Sequence, residues 1–149
     1  MAMKVRGYAS IFGNRDNHGE VIDRGAFGNW IKSNPDTPID IYWQHNHDGG
    51  WNRDSIPVGI TTKIKQDRKG LYFEGVINDT VKGLDVQAFL ETHGKSGASF
   101  GFRTIDKYQK KEVWHLTDLE LREVTVAARF LASNEVAYVE TIPEPEGDA

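Results

Sequence analysis

The chain has 149 residues, 18 Lys plus Arg against 22 Asp plus Glu, and a formal net charge of -4, so it has enough residues for one core and no basic excess. Glu140, Glu144, Glu146 and Asp148 crowd the last ten residues, and without them the remainder is balanced at 18 against 18, which argues against a nucleic-acid partner gripped through its phosphates. The absence of cysteine excludes disulfides, thiol nucleophiles and Cys-ligated metal, and a mean hydropathy of -0.55 with charges in every apolar run leaves no stretch for crossing a bilayer.

In chain order, Lys4 to Phe12 reads as a strand that ends at Gly13-Asn14, and residues 15–20 read as a polar loop. Ala26, Phe27, Trp30 and Ile31 recur at spacings of three and four, which predicts a short helix from Arg24 to Ser33, stopped by Asn34-Pro35. From Ile39 to His45 the apolar residues Ile39, Ile41 and Trp43 alternate with polar ones, the period of a half-buried strand, and His45 inherits their parity. Val58 to Gln66 and Leu71 to Asn78 flank Asp67-Arg68-Lys69-Gly70 and predict a hairpin. Thr80 to Thr92 predicts the one longer helix, capped by Asp79 or Thr80, stopped by Gly94, with Val81, Leu84 and Ala88 on one side and Val86, Phe89 and Leu90 beside them. After Ala98 the pattern is extended: Ala98 to Ile105, a polar loop from Asp106 to Lys111, then Glu112 to Leu116, Leu119 to Ala128 and Val136 to Ile142. The fold class is therefore α+β, a mostly antiparallel sheet closing into a barrel with a few packed helices over residues 1–142, followed by an acidic, disordered tail at 143–149.

Gly97-Ala98-Ser99-Phe100-Gly101-Phe102-Arg103 matches the Gly-x-Ser-x-Gly pattern of a nucleophile elbow, but an elbow needs strand, turn and helix in that order, and here the helix comes first. What survives is a serine at the start of a strand with Gly101 and Arg103 on its face, leaving room for a substrate carbonyl between hydroxyl and guanidinium; a glycine-relieved strand with a surface serine fits the same residues. A serine needs a base, and of five histidines His45 is held by the firmest element, while the spacing of His45 and His47, with Asp48 nearby, suggests a metal pair for which no third and fourth ligands follow at convincing spacing. Glu123 alternates with Leu119, Leu121, Thr125 and Ala127; an acid at that parity calls for a partner, either an arginine such as Arg103 or Arg122 or a histidine nitrogen.

Tyr42-Trp43-Gln44-His45, the Gly97 to Arg103 segment, Leu121-Arg122-Glu123-Val124-Thr125-Val126, and the opening Gly7-Tyr8-Ala9-Ser10-Ile11-Phe12-Gly13-Asn14 with Gly25-Ala26-Phe27 resemble, in order, the motifs of the tailed-phage prohead proteases of HK97 type, related to the herpesvirus assemblin fold. The resemblance covers residues 5 to 139. It implies a serine endopeptidase of capsid maturation with Ser99 as nucleophile, His45 as general base and Glu123 as third member, and Arg103 and Gly101 are expected to help at the oxyanion. No cofactor and no metal are expected. The implied substrates are a scaffold protein or the scaffolding region of the major capsid protein, and the chain itself, inside the procapsid in the host cytoplasm or from a prophage. Self-association is a further expectation, because Trp30, Trp43, Trp51 and Trp114 exceed what a core of this size needs. The alternative is a catalytically silent relative that serves as an assembly or scaffold-binding module. The sequence departs from the family pattern in a long Asn46 to Ile56 loop, in Thr125 where serine is usual, and in the lack of prolines from Leu131 to Glu135. Relatives often carry a further segment past the last strand, which a processed or trimmed chain would lack.

Overall fold

The computed structural model describes residues 2–16, 19–43, 56–127 and 137–143. Its strands are β1 (Met3–Ile11), β2 (Glu20–Ile22), β3 (Asp40–Trp43), β4 (Gly59–Gln66), β5 (Gly70–Ile77), β6 (Lys95–Lys110), β7 (Val113–Ala127) and β8 (Tyr138–Thr141), with helices α1 (Gly28–Ser33) and α2 (Val81–His93). The hydrogen-bonded order β7-β3-β4-β5-β1-β8-β6 returns to β7 through the β6–β7 pairing, so seven strands close a ring and β2 lies outside it. All pairings in the ring are antiparallel except β3 with β7, and β2 joins β7 in parallel further along, at Trp114 to Leu116. Closure pairs each ring strand on both sides over part of its length, β6 beyond Gly97 pairing with β7 alone, and the inward residues Val5, Ile41, Phe73, Val124, Val126 and Val139 are fully buried. The expected α+β barrel with packed helices is what forms.

Several boundaries differ from the sequence-based expectation for identifiable reasons. The first helix begins at Gly28 rather than Arg24, because Gly25 takes φ +86° and residues 24–27 form turns closed by Ala26 N to Asp23 O and Gly28 N to Gly25 O. Its most buried apolar residues, Ala26 and Phe27, therefore precede the helix, where Phe27 meets Phe100 edge-on at 5.3 Å. In α2 the Thr80 hydroxyl accepts from Gly83 N and Gly94 takes the left-handed φ of 73°, as the caps predict. The buried face, however, is Gly83, Val86, Gln87 and Leu90, while Val81 and Leu84 are 82% and 50% exposed. Gly83 explains the choice: a Cβ there would collide with Asn78 O, so the glycine lets the helix lie tight against the end of β5, where Gln87 Nε2 donates to Asn78 O and Asp79 Oδ1.

The polar stretch Asp106 to Lys111, expected as a loop, is strand almost to its end. The turn is only Lys111-Glu112, both at positive φ (50° and 67°), a geometry that usually selects Asn or Gly and so left no mark in the sequence. The two strands expected at Glu112 to Leu116 and Leu119 to Ala128 are, among the described residues, one strand, β7 (Val113–Ala127), and the irregularities of the hairpin are absorbed as bulges near Asp106 and Thr117 instead of a break. The β4–β5 hairpin follows expectation, with Asp67 Oδ1 accepting from Lys69 N and Gly70 N. Tyr8 Oη donates to Asp67 Oδ2 at 2.6 Å across from β1, and that hydrogen bond, helped by burial, pushes the phenol up to about 12.

Candidate active site

Three neighbouring strands of the ring carry the candidate residues. Ser99 on β6 is the register partner of Thr125 on β7, and Thr125 in turn is the partner of Tyr42 on β3. Phe100, Val124 and Ile41 form the next row and point the opposite way, into the core. Ser99, Thr125 and Tyr42 thus share the outward face of the barrel wall. Ser99 is nevertheless only 5% exposed and Thr125 is fully buried. Thr125 Oγ1 has no hydrogen-bond partner among the described residues, an arrangement that costs about 1–3 kcal/mol and asks for a reason.

Glu123 reaches this face through a defect in the ladder. Gly101 pairs with Glu123 but the next residue, Phe102, pairs with Leu121, so Arg122 is an extra residue on β7. The bulge turns Leu119 and Leu121 inward (0% and 3% exposed) while Glu123 joins Ser99 and Thr125 on the outward face. The expected alternation of Glu123 with Leu119 and Leu121 does not hold, and the reason is this inserted residue. Glu123 lies across Gly101: a Cβ on that glycine would stand 2.6 Å from Glu123 Cγ and 2.9 Å from Oε1. The space read from the sequence as room for a substrate carbonyl is therefore occupied by the Glu123 side chain.

The electrostatics of the row follow from partial burial of acids near one another. Burial, and then the charge of Asp40, raise the Glu123 pKa above the usual carboxylate range. Burial also raises the Tyr42 phenol, with Asp40 and Glu123 adding to it. Asp40 precedes Ile41, the partner of Val124, and so stands in step with Glu123 across the β3–β7 pair. Asp40 and Tyr42 drew no attention as site residues because only the parallel β3–β7 register brings them there.

Arg103 stands apart from Ser99. Its Nε and Nη2 donate to Glu120 Oε2 at 3.2 and 3.1 Å, and its side chain is 59% exposed. Four residues of strand separate it from Ser99, about 13 Å at roughly 3.3 Å per residue. Arg103→Ala is expected to leave kcat/KM for a cleavable peptide within about twofold of wild type and stability within about 1 kcal/mol, the usual range for a surface ion pair. A tenfold or larger fall in kcat/KM would return Arg103 to the oxyanion.

Of the histidines, His45 and His47, with Asp48, lie outside the described residues, as does His18. His93 Nδ1 bonds Phe89 O at the end of α2. His115 Nδ1 lies 2.8 Å from Asp23 Oδ1 with Tyr108 stacked parallel on its ring, but ten residues of β7 separate it from Thr125, so this pair fastens β2 to the long hairpin and does not serve Ser99. Trp43 packs edge-on against Phe89 at 5.0 Å, Trp30 packs against the core, and Trp114 is 37% exposed beneath Lys107.

A family model described as Caudovirus prohead serine protease matches residues 1–142. The prohead protease of Enterobacteria phage HK97 is 33% identical over 97 residues, covering 64% of this chain and 40% of that protein, so the chain spans about two fifths of that relative's length. Among solved structures, KSHV protease in complex with a hexapeptide phosphonate inhibitor superposes with a TM-score of 0.55 at 12% identity, over 93% of this chain and 64% of the KSHV chain. At that identity the likeness concerns the fold, and the fold is the same strand-rich barrel with helices packed on it. Because the family match runs from the first strand through the last, with the serine strand, the Glu123 strand and β3 all inside it, the chain belongs to the caudovirus prohead serine protease family.

Proposed function

We propose that this chain is the peptide-cleaving domain of a capsid-maturation protease, with Ser99 as nucleophile, His45 as general base and Glu123 as the carboxylate that steadies the imidazole. One observation carries the assignment of Ser99 and Glu123: a serine 5% exposed on the outward barrel wall stands two rows from a half-buried carboxylate of raised pKa, both on the same face. In this reading the Ser99 hydroxyl attacks the scissile carbonyl as His45 takes its proton, and His45 then passes that proton to the departing amine. Water hydrolyses the acyl enzyme by the same relay in reverse. The Ala98 N–H already donates to Ala137 O, so another backbone N–H near Ser99 holds the oxyanion, with no direct part for Arg103. Desolvation suits Glu123 to its role, because a carboxylate with raised proton affinity is a stronger acceptor for an imidazolium N–H. The substrates are a scaffold or the scaffolding region of the capsid protein, and the chain itself. Confinement in the shell raises local concentration, so cleavage and self-association are both favoured there and not in the open cytoplasm.

The test is co-expression with the neighbouring capsid gene, read by intact mass. Wild-type protein is expected to yield the trimmed capsid protein, and Ser99→Ala only the full-length form. Trimming that persists with Ser99→Ala would refute the assignment, and no trimming in either case would favour the silent assembly module.

A further inference from the structure

Thr125 offers a donor in the one place where Ser99 can use it. It is the direct cross-strand partner of Ser99 and is fully buried, and its Oγ1 has no hydrogen-bond partner among the described residues. Glu123, two residues away on the same strand and face, lies across Gly101 and does not take this hydroxyl. The Cβ atoms of such opposed residues are about 4.5–5.5 Å apart, within reach of a hydroxyl to hydroxyl bond once one side chain turns about χ1. The β-branched threonine has little freedom to turn, whereas serine has more. Valine would fill the same space with no buried hydroxyl to leave unpaired, so packing gives no reason for the oxygen.

Taking Ser99 as the nucleophile, we infer that Thr125 is its positioning residue: the Thr125 O–H donates to Ser99 Oγ when Ser99 rotates to attack. A serine hydroxyl has one proton and two acceptor lone pairs. Thr125 occupies one lone pair and fixes the rotamer, the second lone pair faces the substrate carbonyl, and the single Ser99 proton is left for His45 to withdraw. As His45 withdraws the proton, Oγ gains partial alkoxide character before the new C–O bond is complete and the charge passes to the carbonyl oxygen; the Thr125 bond strengthens at that stage, which places its effect on the rate more than on substrate affinity.

The test uses the full chain as wild type, Thr125→Val and Thr125→Ser. Four quantities are read: the rate at which a fluorophosphonate labels Ser99, located by peptide mass; kcat and KM on a scaffold-derived peptide; and Tm. Thr125→Val is expected to slow labelling and kcat by about 10-fold to 100-fold, the scale of a misplaced reacting group, with KM within twofold and Tm equal to or above wild type. Thr125→Ser is expected to recover both rates to within about threefold of wild type, since it keeps the donor. Wild-type labelling at Ser99 matched by Thr125→Val would overturn the positioning role alone, as would a serine variant as slow as the valine one. A wild-type protein that is not labelled at Ser99 would overturn the nucleophile assignment and this role with it.

Discussion

His45→Ala is expected to lower kcat/KM for a scaffold peptide by at least about 1,000-fold with Tm within about 2 °C of wild type, because a serine hydroxyl without a base is a very weak nucleophile. The split between rate and stability is what makes this result informative. Ile41 and Trp43 pack on the inner side of the wall with Val124 and Val126, while Ser99, Thr125 and Tyr42 face outward. An unbroken β3 would carry His45 to the inner side, in line with Ile41 and Trp43 and away from Ser99. Catalysis by His45 therefore demands that the backbone leave strand alternation after Trp43, the last residue of β3. If the strand instead ran on, His45 would be a core residue, and its loss would lower Tm by many degrees while cleavage survived. A large fall in rate at constant Tm is the outcome that the catalytic assignment requires.

Glu123→Gln is expected to lower kcat by about 10-fold to 100-fold while making the protein more stable at neutral and alkaline pH. The amide keeps the shape over Gly101 but cannot hold an imidazolium as an anion does, which accounts for the rate. The stability change follows from the raised pKa. Burial and Asp40 lift the folded-state value above the usual 4.5, so the folded protein binds this proton more tightly than the unfolded chain. Stability is therefore unaffected below the unfolded value, falls as pH rises through the window between the unfolded and folded values, and stays lowered above it. Removing the titration removes that loss, so Tm of Glu123→Gln is expected to exceed wild type at pH 8 and to converge with it near pH 4. A glutamine variant that cleaves at the wild-type rate would strike Glu123 from the machinery, whatever its Tm.

Local chemistry explains which parts of this molecule could be read from the sequence. The Asp67 turn, the Thr80 cap, the Gly94 stop and the Ile39, Ile41, Trp43 alternation each depend on a few adjacent residues, and each took the form that their chemistry dictates. The two-residue turn at Lys111-Glu112 was illegible because its left-handed residues are not those that such turns favour. The short β2 was illegible because its three residues are held by a parallel partner more than ninety positions away. For the candidate site, the serine motif could be placed on a strand, but the arrangement around it is set by register. The extra residue at Arg122 moves Glu123 from the face of Leu119 and Leu121 to that of Ser99, and no run of residues on β7 alone reveals this. Gly101 was legible as a place where something comes close; that the visitor is Glu123 is a property of the ladder.

The central claim is that Ser99 is a nucleophile activated by His45, and covalent capture tests it most directly. The intact protein is treated with a peptide fluorophosphonate, digested, and the modified residue located by mass. One label is expected per chain, on the peptide containing Ser99, formed at least about 100-fold more slowly after His45→Ala. A label on any other residue, or labelling of Ser99 at an unchanged rate without His45, would contradict the account.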